Sequence, residues 1–273
     1  MKQGIKLELY RAFHNAGFPI AVFLGSIITV VQFVFRVLPE MNNIVDTNLN
    51  LSYPLSVFNT CLMLDLGGFY SYLYYNAIML IAVIPFGVSY YTDLREGYIK
   101  NVYTRMDRKG YLIGKYISVF VSAGFVCVIP LILNLLLTSM VMPSLLPQAA
   151  TARFSIGGFA MLKEVFYTHP WIYIGIYLLI DFVMTGLFAC MTLVVTKFVY
   201  NRYIVLFVPF LFFILVQTVA QFSYYNAAGP YFIMDASQTI WENLPTVIIE
   251  IVFLFLFTFI TFYLMGGRKR DVL

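Results

Sequence analysis

The sequence predicts an all-α membrane protein with six transmembrane helices. Of its 273 residues, 61% are hydrophobic and only 11% are charged, and the mean hydropathy is +0.85. A soluble domain has an apolar share nearer about 45–50%. A helix needs about 20 apolar residues to cross a bilayer, and six runs have that length. The runs are continuous and do not alternate, which favours helices over the strands of a barrel.

The six runs follow one another along a single transmembrane domain, residues 1–273. They span residues 18–38, 70–91, 113–137, 171–195, 203–222 and 247–265. The first run has spanning length and lacks the small-residue cleavage site of a signal peptide, so we expect it to be a span of the mature protein. Pro85 lies in the second run and Pro209 in the fifth. Each removes a backbone hydrogen bond and can kink its helix, which makes both candidate gate kinks.

The distribution of basic residues predicts the orientation. Six spans place both termini on one side of the membrane. That side carries 14 of the 17 lysines and arginines, and the other carries only Arg36, Arg153 and Lys163. Basic residues accumulate on the cytoplasmic side of membrane proteins. We therefore expect a multi-pass protein of the cell membrane, in contact with its lipids, with both termini in the cytoplasm.

Two cytoplasmic segments have amphipathic patterns. Near the N-terminus, Ile5, Leu9, Ala12 and Phe13 share one helical face. Between the second and third spans, residues 92–115 hold six basic and three acidic residues. An apolar face within them predicts a short helix with a D-x-x-E start; its members are Leu94, Tyr98, Ile99, Val102, Tyr103 and Met106.

Two interpretations of this second helix remain. It can lie on the lipid head groups as an interfacial helix, or it can dock against a protein partner. A helix built only for anionic lipid would be basic throughout. The acidic residues Asp93, Glu96 and Asp107 favour a protein partner.

The same stretch carries a resemblance to a known family. Asp93-Leu94-Arg95-Glu96-Gly97 is followed about ten residues later by Arg108-Lys109-Gly110-Tyr111-Leu112-Ile113-Gly114-Lys115, which enters the third span. This arrangement resembles the cytoplasmic loop of ABC-2 type transporter permeases. Met106-Asp107-Arg108-Lys109-Gly110 departs from the Pro-Ser-Arg-like step that the family often has there.

The resemblance implies that this loop is a coupling helix seated in a cleft of a separate ATP-hydrolysing subunit. The implied contact residues are Asp93, Leu94, Arg95, Glu96, Tyr98, Ile99, Val102, Tyr103 and Met106. It also implies that the N-terminal segment is an elbow helix along the inner leaflet. Two copies of the ATP-binding subunit, carrying ATP and Mg, would pair with two permease chains, identical or homologous. Spans 2 and 5 would face the partner permease around the translocation path.

The function that this resemblance implies is outward transport. Because the spans are rich in Phe, Tyr, Leu and Ile, the path suits an amphipathic or apolar cargo such as a peptide, a lipid-linked molecule or a drug. No G-x-x-x-x-G-K-[ST], H-E-x-x-H or G-x-S-x-G motif occurs, and the two histidines are predicted on opposite sides of the membrane. The sequence therefore predicts no catalytic residue, no metal site, no cofactor in this chain and no nucleic-acid partner.

Two acidic residues lie within the predicted spans. Asp181 is near the middle of the fourth, where an ionisable group is costly unless it is paired, hydrated or protonated. It is interpreted either as part of a pathway or moving interface, or as a structural partner of a polar residue such as Asn76. Glu250 lies a few residues from the outer end of the sixth span, within reach of the head groups.

A second class of function stays open, namely a secondary transporter or a membrane assembly factor with no ATPase partner. Secondary transporters more often have internal repeats and charged or broken helices at the midplane. The two halves of this sequence have no clear repeat, and Asp181 is the main feature in favour of this alternative.

Overall fold

The computed structural model describes residues 2–41, 55–66, 68–104, 107–149, 156–157, 160–223 and 228–266. Within these ranges all regular secondary structure is helical, which confirms the all-α part of the predicted fold class. The helices are α1 (Lys2–Phe13), α2 (Gly17–Gln32), α3 (Leu38–Glu40), α4 (Val57–Thr60), α5 (Phe69–Ile81), α6 (Ser89–Arg95), α7 (Tyr98–Tyr103), α8 (Arg108–Val141), α9 (Lys163–Thr168), α10 (Pro170–Val195), α11 (Arg202–Phe222), α12 (Pro230–Met234) and α13 (Leu244–Gly266).

Five helical segments among the described residues are long and apolar enough to cross a membrane. The first joins α2 to α3 through a π-helical turn, and the others lie in α8, α10, α11 and α13; together they are Gly17–Glu40, Arg108–Val141, Pro170–Val195, Arg202–Phe222 and Leu244–Leu264. These helices fit a multi-pass membrane protein. They correspond to five of the six predicted spans.

The predicted second span, 70–91, is not one continuous helix. α5 ends at Ile81, residues 82–88 form turns, and α6 begins at Ser89. Pro85 lies in the turns, where a residue without an N–H cannot continue the ladder. Asn15 Nδ2, from the link between α1 and α2, donates to the Pro85 carbonyl at 2.9 Å. The sequence therefore predicted a kink at Pro85, whereas the structure has a break.

The predicted cytoplasmic helix is also divided. α6 and α7 are separated at Gly97, whose φ of +72° is left-handed and is tolerated best by glycine. The single apolar face proposed over residues 94–106 is thus split between two short helices, and Met106 lies outside the described residues. Pro209, in contrast, lies inside the uninterrupted α11.

The centre of the bundle is the contact between α8 and α10. α1 and α2 pack on α8, whereas α11 and α13 pack on α10. Two glycines let the central helices approach closely. A Cβ at Gly124 would lie 2.5 Å from the Phe182 ring, and one at Gly186 would lie 2.7 Å from the Phe120 ring. Each glycine therefore receives an aromatic ring from the opposite helix, a use of small residues common between membrane helices.

A polar network holds the opposite end of α8 from α1. Asn134 Nδ2 donates to the Thr29 carbonyl at 3.1 Å and to Gln32 Oε1 at 2.7 Å, and Asn134 Oδ1 accepts from the Leu62 N–H at 2.9 Å. Gln32 Nε2 donates to the Thr60 carbonyl at 3.0 Å. These bonds fix α2 and the segment 55–66 to α8 without any charge.

We expect Gly186→Ala to destabilise the bundle by about 1–3 kcal/mol, the usual cost of overpacking a core. The new Cβ would meet the ring and the backbone oxygen of Phe120 at 2.7 and 2.8 Å. Gly175→Ala is the matched control on the same helix, because a Cβ there meets nothing within 4 Å. It should be neutral or add up to about 1 kcal/mol through helix propensity. Thermal unfolding of the two variants measures the difference, and equal stabilities would contradict the close contact.

Candidate functional site: a buried ion-pair cluster

Four charged side chains meet where α1, α6 and α8 converge. Glu8 and Arg11 come from α1, Asp93 from α6 and Lys115 from α8. We call these four residues the ion-pair cluster. They join residues up to 107 positions apart in the sequence, so the cluster exists only when the three helices are seated together.

Charges of opposite sign alternate within the ion-pair cluster. Lys115 Nζ lies 2.7 Å from Glu8 Oε2 and 2.6 Å from Asp93 Oδ2. Arg11 Nη1 donates to Glu8 Oε1 at 2.9 Å, and Arg11 Nη2 donates to Asp93 Oδ1 at 2.8 Å. Each cation thus contacts both carboxylates. Two positive and two negative groups make the cluster neutral as a whole.

The ion-pair cluster is almost completely removed from solvent. Glu8 and Lys115 are 0% exposed and Asp93 is 2% exposed, while Arg11 is partly exposed. A buried charge costs several kcal/mol in lost hydration, which only close partners can offset. The Tyr111 hydroxyl adds a hydrogen bond to Asp93 Oδ2 at 2.7 Å. All three carboxylate and ammonium groups in the interior therefore have short contacts with an opposite charge.

Aromatic rings cover the two cations. The Arg11 guanidinium lies 4.5 Å from the centroid of the Tyr98 ring, and Lys115 Nζ lies 4.4 Å from that of Phe86. Such cation–π contacts stabilise by about 0.5–2 kcal/mol, more where water is excluded. Tyr98 belongs to α7 and Phe86 to the turn before α6. The whole connection from α5 to α7 is therefore anchored on the charges of α1 and α8.

Local sequence spacing presents these side chains to one another. Glu8 and Arg11 are three residues apart on α1, and Tyr111 and Lys115 are four apart on α8, so each pair shares one helical face. Gly114 brings the two helices together, because a Cβ there would lie 3.0 Å from the backbone of Gly4. A larger residue at position 114 would push α1 away from Lys115.

The electrostatics favour an ionised Asp93. Burial alone would raise the pKa of this carboxyl. The hydrogen bond from Arg11 and the charge of Lys115 outweigh burial, and the pKa is lowered from its ordinary value. Asp93 therefore stays negatively charged and holds both cations at neutral pH.

The structure divides the residues predicted to contact an ATPase subunit. Arg95 and Glu96 are exposed, and Leu94, Tyr98 and Tyr103 are half-buried; Asp93, Ile99 and Val102 are buried within this chain and offer a partner little surface in this conformation, and Met106 lies outside the described residues. The partner contact itself stays a prediction. The surface available for it is the exposed part of α6 and α7.

Arg95 has an intramolecular role as well. Its guanidinium lies 5.5 Å from the centroid of the Tyr91 ring and 4.5 Å from that of Tyr200. The Tyr91 hydroxyl donates to the Tyr200 carbonyl at 2.7 Å. α6 is thus fixed to the connection between α10 and α11, in addition to α1 and α8.

Asp181 lies at the centre of the bundle. It is 0% exposed, and its Oδ2 accepts from the Tyr75 hydroxyl at 3.3 Å, while no described residue hydrogen-bonds Oδ1. The partner suggested by the sequence, Asn76, instead donates to the Tyr72 carbonyl of its own helix at 2.8 Å. Asn76 is therefore the wrong partner. Whether Asp181 has a functional role stays a prediction.

Glu250 is half-buried and close to a second acid. Its Oε1 and both carboxylate oxygens of Glu242 have no hydrogen-bond partner among the described residues. Burial first, and then the charges of Glu250 and Asp235, raise the pKa of Glu242 to about 8. Burial and the neighbouring acids thus favour the protonated form of Glu242. Nearby, Asp235 accepts hydrogen bonds from Ser237.

Sequence reasoning identified Asp93 but not the ion-pair cluster around it. The sequence pattern places Lys115 among the six basic residues of the segment 92–115, and it relates no charged residue of the N-terminal segment to that segment. One signal was available, since Lys115 lies within the apolar sequence that becomes α8.

Within the described ranges, no group of three or more His, Cys, Asp or Glu side chains is arranged to hold a metal ion.

We expect Asp93→Asn to destabilise the fold by about 3–5 kcal/mol, because it leaves the buried Lys115 and the partly exposed Arg11 with one carboxylate between them. Asp107→Asn makes the same chemical change at an exposed site and should stay within about 0.5 kcal/mol of the parent. Since the pKa of Asp93 is lowered in the folded state, its stabilisation is present above the unfolded value of about 3.9 and is lost as the pH falls through the folded value.

Thermal unfolding of the purified protein between about pH 3 and pH 7 measures both effects. The gap between the parent and Asp93→Asn should be largest near neutrality and should narrow below about pH 4. A stability difference between the two proteins that is small at neutral pH, or that increases as the pH falls, would contradict a charged Asp93 in the ion-pair cluster.

Comparison of the chain with protein-family models, curated proteins and solved structures finds no match to any of the three. The functional interpretation therefore starts from the side chains of this protein.

Proposed function

We propose that this chain is the membrane-spanning subunit of an ATP-driven exporter of the ABC-2 type. A separate subunit binds ATP and Mg and hydrolyses the ATP, and this chain has no catalytic residue. The cargo is amphipathic or apolar, such as a peptide, a lipid-linked molecule or a drug. Both termini lie in the cytoplasm, and the protein resides in the cell membrane.

One observation carries the proposal: an exposed surface on α6 and α7 is tied by buried ion pairs to a long apolar helix. Asp93 contacts Lys115 of α8 at 2.6 Å and Arg11 of α1 at 2.8 Å. A force applied to α6 reaches α8 directly through these contacts. A coupling element needs such a connection, because energy released in a soluble subunit has to move membrane helices.

The exposed side of α6 and α7 has the composition of a protein-binding surface. Arg95, Glu96, Lys100 and Asn101 are exposed, with half-buried Tyr98 and Tyr103 beside them. Tyrosine and arginine are enriched at interfaces, and mixed charge gives electrostatic complementarity to one partner. A surface for anionic lipid alone would have no use for Glu96. This composition supports docking of the ATP-binding subunit, of which we expect two copies.

The outward faces of α5 and α11 support pairing with a second permease chain, identical or homologous. Tyr72 on α5 is 56% exposed, and Thr218 on α11 is exposed among apolar neighbours, with its hydroxyl donating to the Ile214 carbonyl. Polar groups facing lipid are costly, whereas they are favourable against another polar surface or a water-filled path. In the proposed assembly, the interrupted segment α5–α6 serves as the second of six spans.

The buried Asp181 favours one alternative, a secondary transporter or a membrane assembly factor with no ATPase partner. An acid that is 0% exposed between α5, α8 and α10 is placed where a transporter could carry a proton. A neighbouring gene that encodes a soluble protein with a phosphate-binding loop would favour the exporter. Transport that persists without ATP but follows a proton gradient would favour the alternative.

We expect Glu96→Lys to weaken binding of the ATP-binding subunit by at least about tenfold, because reversing one interface charge costs more than about 1.4 kcal/mol. The side chain is exposed and makes no ion pair among the described residues, so the fold should be unaffected. Glu164→Lys is the matched control. It changes an exposed glutamate on α9, which precedes the first residue of α10, whereas α6 contacts the connection that follows the last residue of α10.

Co-purification of the ATPase with each variant, together with transport per assembled complex, measures the effect. Glu164→Lys should behave as the parent in both assays. If Glu96→Lys retains wild-type co-purification and transport, α6 is not the docking element.

A further inference from the structure

A polar cavity of about 500 Å³ lies beside the ion-pair cluster. Its walls come from the end of α1, from the turns between α5 and α6, and from the first residue of α11, Arg202. Tyr10, His14 and Ser89 line it, together with Arg11 and Asp93 of the ion-pair cluster. The cavity therefore lies between the end of α1, the segment that leads into α6 and the beginning of α11.

The charge of this cavity is set by one residue. Arg11 and Asp93 already belong to the neutral ion-pair cluster, where they bind each other at 2.8 Å. Asp93 is the only carboxylate among the lining residues, and it is already paired with Lys115 in the ion-pair cluster. No carboxylate of the described residues lies within 4.0 Å of Arg202. The Arg202 guanidinium thus lines a polar cavity without a carboxylate partner among the described residues.

Other donors are directed by their local partners. His14 Nδ1 lies 3.1 Å from the Tyr10 carbonyl, which can only accept, so Nδ1 carries the hydrogen and Nε2 is left for another group. The His14 ring stacks on Tyr10 at 3.8 Å, which fixes its orientation. Asn15 is already committed to the Pro85 carbonyl. Because Nε2 of this neutral ring can only accept, the donors that an oxyanion would meet are the Arg202 guanidinium and the Tyr10 phenol.

We propose that this cavity binds a phosphate ester, with Arg202 as its principal charged ligand. Guanidinium groups match phosphate oxygens in a bidentate geometry, and basic pockets between membrane helices take lipid head groups. Next to Arg202, the side chains of Tyr203 and Ile204 are 72% and 48% exposed and offer an apolar surface to acyl chains. The phosphate of an anionic phospholipid fits both features. The site does not depend on an ATPase partner.

The test measures the binding of two lipids to the full-length chain in detergent by native mass spectrometry. Phosphatidylglycerol is titrated in one series and phosphatidylcholine in the other. Arg202→Gln should weaken phosphatidylglycerol binding by about tenfold or more, the change expected for one charge-assisted hydrogen bond. Lys100→Gln removes the same charge from an exposed position on α7 outside the cavity, and binding should be unchanged. Arg202→Lys, which keeps the charge but loses the fork, should fall between the parent and Arg202→Gln.

Inorganic phosphate at millimolar concentration separates the two sources of the ligand. A preference for phosphatidylglycerol that phosphate does not displace assigns the site to a lipid head group. The site is assigned to a soluble phosphate ester if phosphate displaces the bound lipid and the parent binds the two lipids equally well. In that case Arg202→Gln should no longer bind phosphate. Equal binding of either ligand by the parent, Arg202→Gln and Lys100→Gln overturns the proposal.

Discussion

A lysine ammonium held between two carboxylates constrains the end of the bundle where the chain begins. Lys115 is 0% exposed and lies 2.7 and 2.6 Å from Glu8 and Asp93. An unpaired ammonium in that position would be expensive, so α1 and α6 have to be seated on α8 at the same time. The close approach at Gly114 and the position of Phe86 over Lys115 both follow from this requirement.

The same constraint couples any movement of α6 and α7 to α1 and α8. Because the ion-pair cluster is neutral and buried, small displacements of α6 would separate charges in a low-dielectric interior, where attraction is strong. Short helices such as α6 and α7 are not stable alone and rely on tertiary contacts. They therefore move with α1 and α8 or lose their anchors. In an exporter, a soluble partner pushing on α6 would act on α8 through these pairs.

Much of the architecture could be predicted from the sequence, because hydropathy depends only on consecutive residues. Five apolar runs are helices of spanning length. The run 70–91 is interrupted because Pro85 removes a backbone donor, and Asn15, far away in the sequence, donates to the Pro85 carbonyl. The helix predicted between the second and third spans is divided by the left-handed backbone of Gly97, which periodicity does not reveal.

The candidate site was less predictable for a geometric reason. Its charges come from positions 8, 11, 93 and 115, and no local pattern relates α1 to α6. The partner of Asp181 illustrates the same limit. Tyr75 and Asn76 are adjacent in sequence but point about 100° apart on a helix with 3.6 residues per turn, and only Tyr75 faces Asp181. Asp93 was predicted to contact a partner subunit. It is instead buried, and it binds Arg11 and Lys115 of its own chain.

A double-mutant cycle between Asp93 and Lys115 tests the central claim most directly, since it isolates the interaction that joins α6 to α8. The unfolding free energies of the parent, Asp93→Asn, Lys115→Met and the double variant define the coupling energy. We expect a coupling of about 1.5 kcal/mol or more, because each single change leaves a buried charge that the second change relieves. Additivity within about 0.5 kcal/mol would contradict the account, since the two residues would then be energetically independent.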